Sequence, residues 1–304
     1  MHLGLSMNSA YAVPDVRTGA QWMVERARAA SRAELDSLFL GDHHAVPIPY
    51  YQNVPMLGRL LAEWRGPVTG ALFLLPLWHP LLVAEQVGTL ASLAAGRFVL
   101  QCAIGPSDDE FPAFGVDPRQ RPSRFEQSLT LLRRWFAGEV LDHDGRWTLS
   151  RARIAPAPPE PVEVWIGASA APAIDRAARM GDGWLAGPQL DMASATRQLA
   201  YYRERCENHG RPVGVCAIRR DVYVGSSPDE ARATAGPVVE AGHRGFPADA
   251  TIVGSVAEVV DEIRTLENSG YSHVIVRNLV RDQQAAIGCI ERLAGVREAL
   301  AQSH

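Results

Sequence analysis

The chain has 304 residues, 47% of them hydrophobic and 21% charged, with a net charge of −4. That length buries a large core without disulfide or metal staples and is the ordinary size of one α/β barrel. Every basic side chain is arginine and none forms a basic run, which excludes a Schiff-base lysine, a P-loop lysine, a Ser/Lys dyad and a surface built for nucleic acid or anionic membrane.

The first residues, MHLGLSMNSAY, lack a basic segment followed by a long apolar one, so they do not read as a secretory signal. The longest apolar region, Ala71–Ala95, is broken by Pro76, His79, Pro80, Glu85 and Gln86, and no stretch is long enough to cross a membrane. A cytoplasmic protein is expected. Cys102, Cys206, Cys216 and Cys289 form no CxxC pair and read as incidental thiols rather than a disulfide framework or zinc site.

Along the chain, short apolar runs alternate with segments of helical period, the pattern of a parallel sheet with crossover helices. Candidate strands are His2–Ser6, Ser37–Gly41, Val68–Leu72, Phe98–Ala103, Val162–Gly167, Gly183–Ala186, Val215–Val224 and His273–Arg277. Eight is the barrel number, so the chain is expected to form a single (β/α)8 barrel domain over 1–304, a TIM barrel with insertion loops.

Ser123-Arg-Phe-Glu126 has the form of a capping box ahead of a helix through Phe136 that stops at Gly138. Ser255-Val-Ala-Glu258 repeats the form ahead of a helix ending at Gly270. Pro172 is placed to open a helix that closes at Gly181. Residues 142–161, rich in proline and charge, form a long irregular stretch, either a lid or binding insertion or a passive connection. A second weakly structured region is expected over 236–250.

Barrel active sites lie at the C-terminal ends of the strands. Strand two ends in Gly41-Asp42-His43-His44. Neighbouring residues on an extended chain point to opposite sides, so His43 and His44 are not both expected to face the axis, which argues against a metal pair. One mouth histidine with Asp42 beside it suits a general acid/base or a donor to a bound ring.

The small residues Gly70 and Ala71 after strand three allow a flat ring close to the backbone, or simply serve tight packing. His79 before Pro80 reads as a turn residue. Asp108, Asp109 and Glu110 read as an acidic, solvated helix start rather than a metal site. Gly167-Ala168-Ser169, ahead of the helix opened by Pro172, is either an anion site suited to a phosphate-bearing cofactor or a plain serine cap. Tyr50, Tyr51, Trp78, Phe111 and Phe114 are candidates to line an apolar substrate pocket.

Several segments in this order resemble the luciferase-like monooxygenase family: Asp36-Ser-Leu-Phe-Leu-Gly-Asp-His-His44, Leu75-Pro-Leu-Trp-His-Pro80, Ala95-Gly-Arg-Phe98, Asp109-Glu-Phe-Pro-Ala-Phe-Gly115, Val164-Trp-Ile-Gly-Ala-Ser169 and Ala177-Ala-Arg-Met-Gly-Asp-Gly-Trp184. The resemblance is densest from Phe39 to Trp184. It implies a (β/α)8 barrel that binds reduced FMN or coenzyme F420 at its mouth. His43 falls on a functionally important histidine of that family, Ser169 on a phosphate-contacting serine, and Gly70, Ala71 and Leu72 on a strand end with a non-prolyl cis peptide, expected here near Ala71–Leu72.

There are departures. Ile104 stands where luciferases use an arginine near the phosphate, and Gly167-Ala168 replaces the usual Gly-Gly or an acidic residue.

The leading reading is a monooxygenase that uses reduced FMN, supplied by a separate reductase, and O2 on a small organic substrate. His43 serves as acid/base and Asp42 orients it. The alternatives are an F420-dependent hydride-transfer enzyme on the same barrel and a barrel that binds flavin without turnover. A metal-dependent hydrolase is disfavoured by ligand spacing. The resemblance also implies a homodimer, with Leu81–Ala95 facing the partner or packing inside.

Overall fold

The computed structural model describes residues 1–105 and 110–302. Strand β1 (His2–Met7) leads through helix α1 (Val16–Arg32) to β2 (Ser37–Leu40). Helix α2 (Asn53–Leu60) then leads to β3 (Val68–Leu74), and α3 (Pro80–Leu93) to β4 (Arg97–Ala103). The short α4 (Glu110–Ala113) and α5 (Arg121–Phe136) precede a small antiparallel hairpin of β5 (Leu141–His143) and β6 (Leu149–Ala152). The alternation resumes with β7 (Glu163–Gly167), α6 (Ala171–Met180), β8 (Gly183–Ala186), α7 (Met192–Asn208) and β9 (Val215–Val224). It closes with α8 (Pro228–Glu240), β10 (Thr251–Gly254), α9 (Val256–Ser269), β11 (His273–Asn278) and α10 (Gln283–Ala301).

Parallel pairing runs β1-β2-β3-β4-β7-β8, then β8 to β9, β9 to β11 and β11 back to β1, so eight strands close into a barrel. β9 is long enough to change partners along one edge. Val215–Ile218 pair with β8, and Asp221–Val224 pair with β10, which stands outside the ring.

Strand alternation sorts the side chains. Phe39, Val99, Trp165, Ala217 and Ile275 point inward and form a compact plug. Their outward neighbours, such as Leu38, Leu100, Ile166, Ile218 and Val276, join the main core beneath the helices. Gly70 has no choice of side chain: a Cβ there would lie 2.1 Å from the Val99 carbonyl oxygen and 3.0 Å from Phe39.

Local signals account for most helix ends. Ser255 and Glu258 form a reciprocal capping box, and Gly270 at φ 107° stops α9. Pro172 sits in the first turn of α6, which ends at Gly181. The expected box at Ser123 does not form. Pro122 starts α5 earlier, at Arg121, Ser123 Oγ bonds the Gln120 carbonyl, and Glu126 turns outward to Arg176 and Arg179. Most of the region expected to be irregular after Gly236 lies beyond α8, which continues through Pro237 to Glu240.

The insertion after α5 lies along the helical layer. Trp135 Nε1 bonds the Ala152 carbonyl, Arg146 reaches Gln120, Ser123 and Gln127, and Trp147 meets His79 and Arg124. On α3, Leu82 and Leu93 are exposed while Val83, Ala84, Val87, Leu90 and Ala91 are buried. Among the described residues no helix is long and apolar enough to cross a membrane.

Candidate functional site

Burial along the barrel strands locates an opening. At the C-terminal ends the inward-facing residue is the partly exposed one, while its outward neighbours are buried. Ser6, Leu72, Gly167, Leu185, Arg219 and Arg277 follow this rule, and Ala103 is partly exposed between a buried Cys102 and a partly exposed Ile104. They line a mouth above the plug. The rim is asymmetric. Leu72, Ala103, Gly167 and Leu185 make a small, neutral wall on β3, β4, β7 and β8, whereas β9, β11 and β1 present two arginines and a serine.

An apolar cluster of Leu74, Leu77, Phe111 and Val116 backs the neutral wall, with Leu72, Trp78 and Ala103 against it. Several buried polar atoms around the mouth lack a partner: Asn8 Oδ1, Ser9 Oγ, Tyr11 OH, Gln101 Nε2, Arg219 Nε and Asp221 Oδ1. Buried groups of this kind are normally satisfied. A flat ligand with a polar edge fits a neutral wall facing unmet donors and acceptors, so the residues present suit a flavin-like ring. Two outer clefts, of about 310 and 760 Å³, lie on the helical layer and share none of these residues.

The segment after β2 carries the titratable centre. His43 is partly exposed, and its Nδ1 lies 2.8 Å from Glu110 Oε1. The other Glu110 oxygen accepts the His44 backbone N–H at 3.1 Å, and Glu110 itself is only 4% exposed. His43 Nε2 is neither bonded nor buried among the described residues. Tyr50 meets the His43 ring edge to face, centroids 5.5 Å apart. Burial pushes the Tyr50 phenol up to about 12, with Asp42 adding to the rise and Ser9, Arg277 and Arg219 opposing it.

Asp42 is fully buried and plays a different part from the one expected. Its Oδ2 accepts from the Leu74 backbone N–H and from Trp78 Nε1, both at 2.8 Å, tying the end of β2 to the end of β3. Its Oδ1 lies 3.0 Å from His44 Nε2, close enough for an ion pair but poorly aligned for a hydrogen bond. Burial works against charge on His44, but Asp42 and then Glu110 outweigh it and raise the imidazole above its ordinary value. Asp42 therefore serves His44 and the loop, and Glu110 serves His43.

The remaining expected site residues divide. Leu72 and Gly167 reach the mouth, and Ile104 is partly exposed just beyond β4. Ala71 is fully buried on the outer face, and the space over Gly70 is taken by Phe39 and the Val99 carbonyl. Ala168 spends its backbone inside, its N–H on the Leu185 carbonyl and its carbonyl on Trp184 Nε1. Ser169 precedes Ala170, the cap of α6, and its hydroxyl accepts from Gln189 Nε2 at 3.3 Å, so it is not the helix cap.

The bond near Ala71–Leu72 is not cis; the one cis peptide among the described residues is Ala155–Pro156. β3 pairs without interruption with β4 from Val68 to Leu74, and that regular ladder requires trans bonds. Of the three carboxylates read as a solvated helix start, Glu110 is buried and partnered, and Asp108 and Asp109 lie outside the described residues.

Sequence reading missed Glu110, Arg219, Asp221 and Arg277. The available signal was a charged run, Arg219-Arg220-Asp221, inside an apolar strand, and an arginine closing the last apolar strand.

A model of the family described as luciferase-like monooxygenase matches residues 1–250. An F420-dependent glucose-6-phosphate dehydrogenase of Nakamurella multipartita is 26% identical over 311 residues, covering 88% of this chain and 89% of its own. One from Beutenbergia cavernae is 30% identical over 221 residues, covering 67% of this chain and 64% of its own. Among solved structures, monooxygenase RslO1 from Streptomyces bottropensis superposes with a TM-score of 0.86 at 18% identity, covering 98% of this chain and 99% of its own. An F420-dependent secondary alcohol dehydrogenase in complex with an F420-acetone adduct gives 0.81 at 17% identity, covering 98% of each chain. The last two share the barrel fold.

Proposed function

Because the chain belongs to the luciferase-like monooxygenase family and is an oxidoreductase, we propose that it exchanges a hydride between coenzyme F420 and an alcohol carbon. The observation that carries this reading is the buried Glu110 carboxylate fixed on His43 Nδ1. Oxidising an alcohol removes a hydride from carbon and a proton from oxygen. A base is needed at the hydroxyl, and it must be oriented. Glu110 holds the Nδ1 proton, which leaves Nε2 as the lone-pair nitrogen open to the mouth. His43 takes the hydroxyl proton there, and the Glu110 charge stabilises the imidazolium that results.

When bound, the deazaflavin supplies the two-electron acceptor. The neutral wall of Leu72, Ala103, Gly167 and Leu185 holds the ring face and excludes water from it. Ser169, at the head of α6, is the donor offered to the cofactor phosphate. Supporting the choice of F420 are the F420-dependent dehydrogenases that match most of the chain. The oxygen-using FMN reading draws on a separate feature, the dry cluster of Leu74, Leu77, Phe111 and Val116 behind the wall.

The test is to titrate purified protein with F420 and with FMN, then assay alcohols under strict exclusion of O2. Preference for F420 and anaerobic loss of its oxidised absorbance are expected. Preference for FMN, with turnover only in air, would overturn the reading in favour of the monooxygenase.

A further inference from the structure

Across the mouth from His43, β9 and β11 place three charged side chains on the inner face. Arg219 and Asp221 share the inward parity of Ala217, and Arg277 shares that of Ile275. Arg277 and Asp221 are direct neighbours in the ladder. Arg244 and His243, from the turn after α8, both reach Asp221 Oδ2, at 3.2 and 2.8 Å. That turn is held in an unusual shape, with Gly242, Arg244 and Gly245 all at positive φ.

The charges do not balance. Among the described residues three guanidinium groups surround one carboxylate, and that carboxylate mainly holds the turn. Asp221 Oδ1 lies 3.9 Å from Arg219 Nε, too far to bond it, and both atoms are buried without a partner. Arg277 makes no hydrogen bond or ion pair among the described residues, yet it is partly exposed to the mouth. Burial, and then the neighbouring Arg277, bring Arg219 down to about 9, with Asp221 pulling the other way. Like charges crowded in a poorly solvated place are costly unless an anion joins them.

We infer that Arg219 and Arg277 form a subsite for an anionic group, carboxylate or phosphate, carried by the substrate whose hydroxyl meets His43. Asp221 is the resident anion that pins the 242–245 turn beside it. Tyr50 stands between the two halves. Its ring touches His43, and its phenol feels Arg277 and Arg219. The substrate class is thus a hydroxy acid or a phosphorylated alcohol. What the anion is attached to rests on the hydride-transfer reading; that an anion binds here does not.

The experiment uses the purified full chain without cofactor, titrated with inorganic phosphate and separately with lactate while thermal unfolding is followed. A saturable rise in melting temperature with either anion is expected, and the tighter one names the group. Arg277→Gln should weaken that binding about ten-fold or more, as losing a charged hydrogen bond does. Ser169→Ala, at the other candidate phosphate position, should leave it unchanged.

In anion-free buffer Arg277→Gln should melt no lower than the parent, because it relieves repulsion. A clearly lower melting point would mean that Asp221 already satisfies Arg277, and would overturn the proposal. No saturable stabilisation, or equal stabilisation of Arg277→Gln, would also overturn it. A final arm titrates F420 with and without phosphate. Competition that vanishes in Arg277→Gln would give the site to the cofactor instead, whereas independent binding supports a substrate subsite.

Discussion

Glu110 and His43, 67 positions apart in the chain, meet through Oε1 and Nδ1 at 2.8 Å, with the carboxylate buried and the far side of the imidazole open. If that pair is the base, Glu110→Gln should lower kcat about 100-fold with KM changed only a few-fold. His43→Asn should cost a similar factor, and the double variant little more than either alone, since the two act as a unit. Steady-state kinetics with each variant check this; a kcat within a few-fold of the parent for Glu110→Gln would remove the carboxylate from the chemistry.

Asp42 should prove a structural residue. Asp42→Ala leaves the Leu74 N–H and Trp78 Nε1 without their buried acceptor and His44 without its counter-charge. A loss on the order of 3–5 kcal/mol is expected from urea denaturation. Trp78→Phe removes only one of the donors and should cost about 1–3 kcal/mol.

Gly70→Ala tests the plug. The new methyl would sit 2.1 Å from the Val99 carbonyl, and backbone cannot swing aside as a flexible side chain can. Destabilisation of about 1–3 kcal/mol or more is expected from the same denaturation experiment, with cofactor affinity little changed if the protein folds.

His273, at the bottom of the barrel, should contribute to acid sensitivity. Burial, aided by His2, the N-terminal amine and Arg97 and opposed by Asp36, lowers it to about 4. In the unfolded chain it titrates near 6.5. Between those values only the unfolded chain takes up the proton. The stabilisation is therefore whole above about pH 6.5 and drains away as the pH falls toward 4. His273→Phe keeps a ring for the stack on His2 and the edge contact with Trp165. The stability lost between pH 7 and pH 4.5 should then be smaller by about 2 kcal/mol, a figure already reduced for partial exposure.

The eight ring strands were readable because buried parallel strands show as short apolar runs between helical stretches, and the eight candidates all correspond to ring strands. β10, Thr251–Gly254, was not among the candidates; it stands outside the ring and pairs only with β9 among the described strands. The region expected to be weakly structured opens at Gly236 and Pro237, which lie near the end of a helix already under way. The site was less legible for a geometric reason. Local sequence shows three adjacent carboxylates before Phe111, but only the folded chain turns Glu110 inward onto His43. Likewise Arg219 differs from Arg220 only by strand parity: the first faces the mouth, and the second is buried on the outer side at 1% exposure.

The change of partners on β9 has a mechanical consequence. The lower half of that strand, Val215–Ile218, closes the ring with β8; the upper half carries β10 and, behind it, α8 and α9. Asp221 and Val222 of that upper half pair with β10 on one side and with β11 on the other, so displacing β10 would disturb the ring strand that carries Arg277.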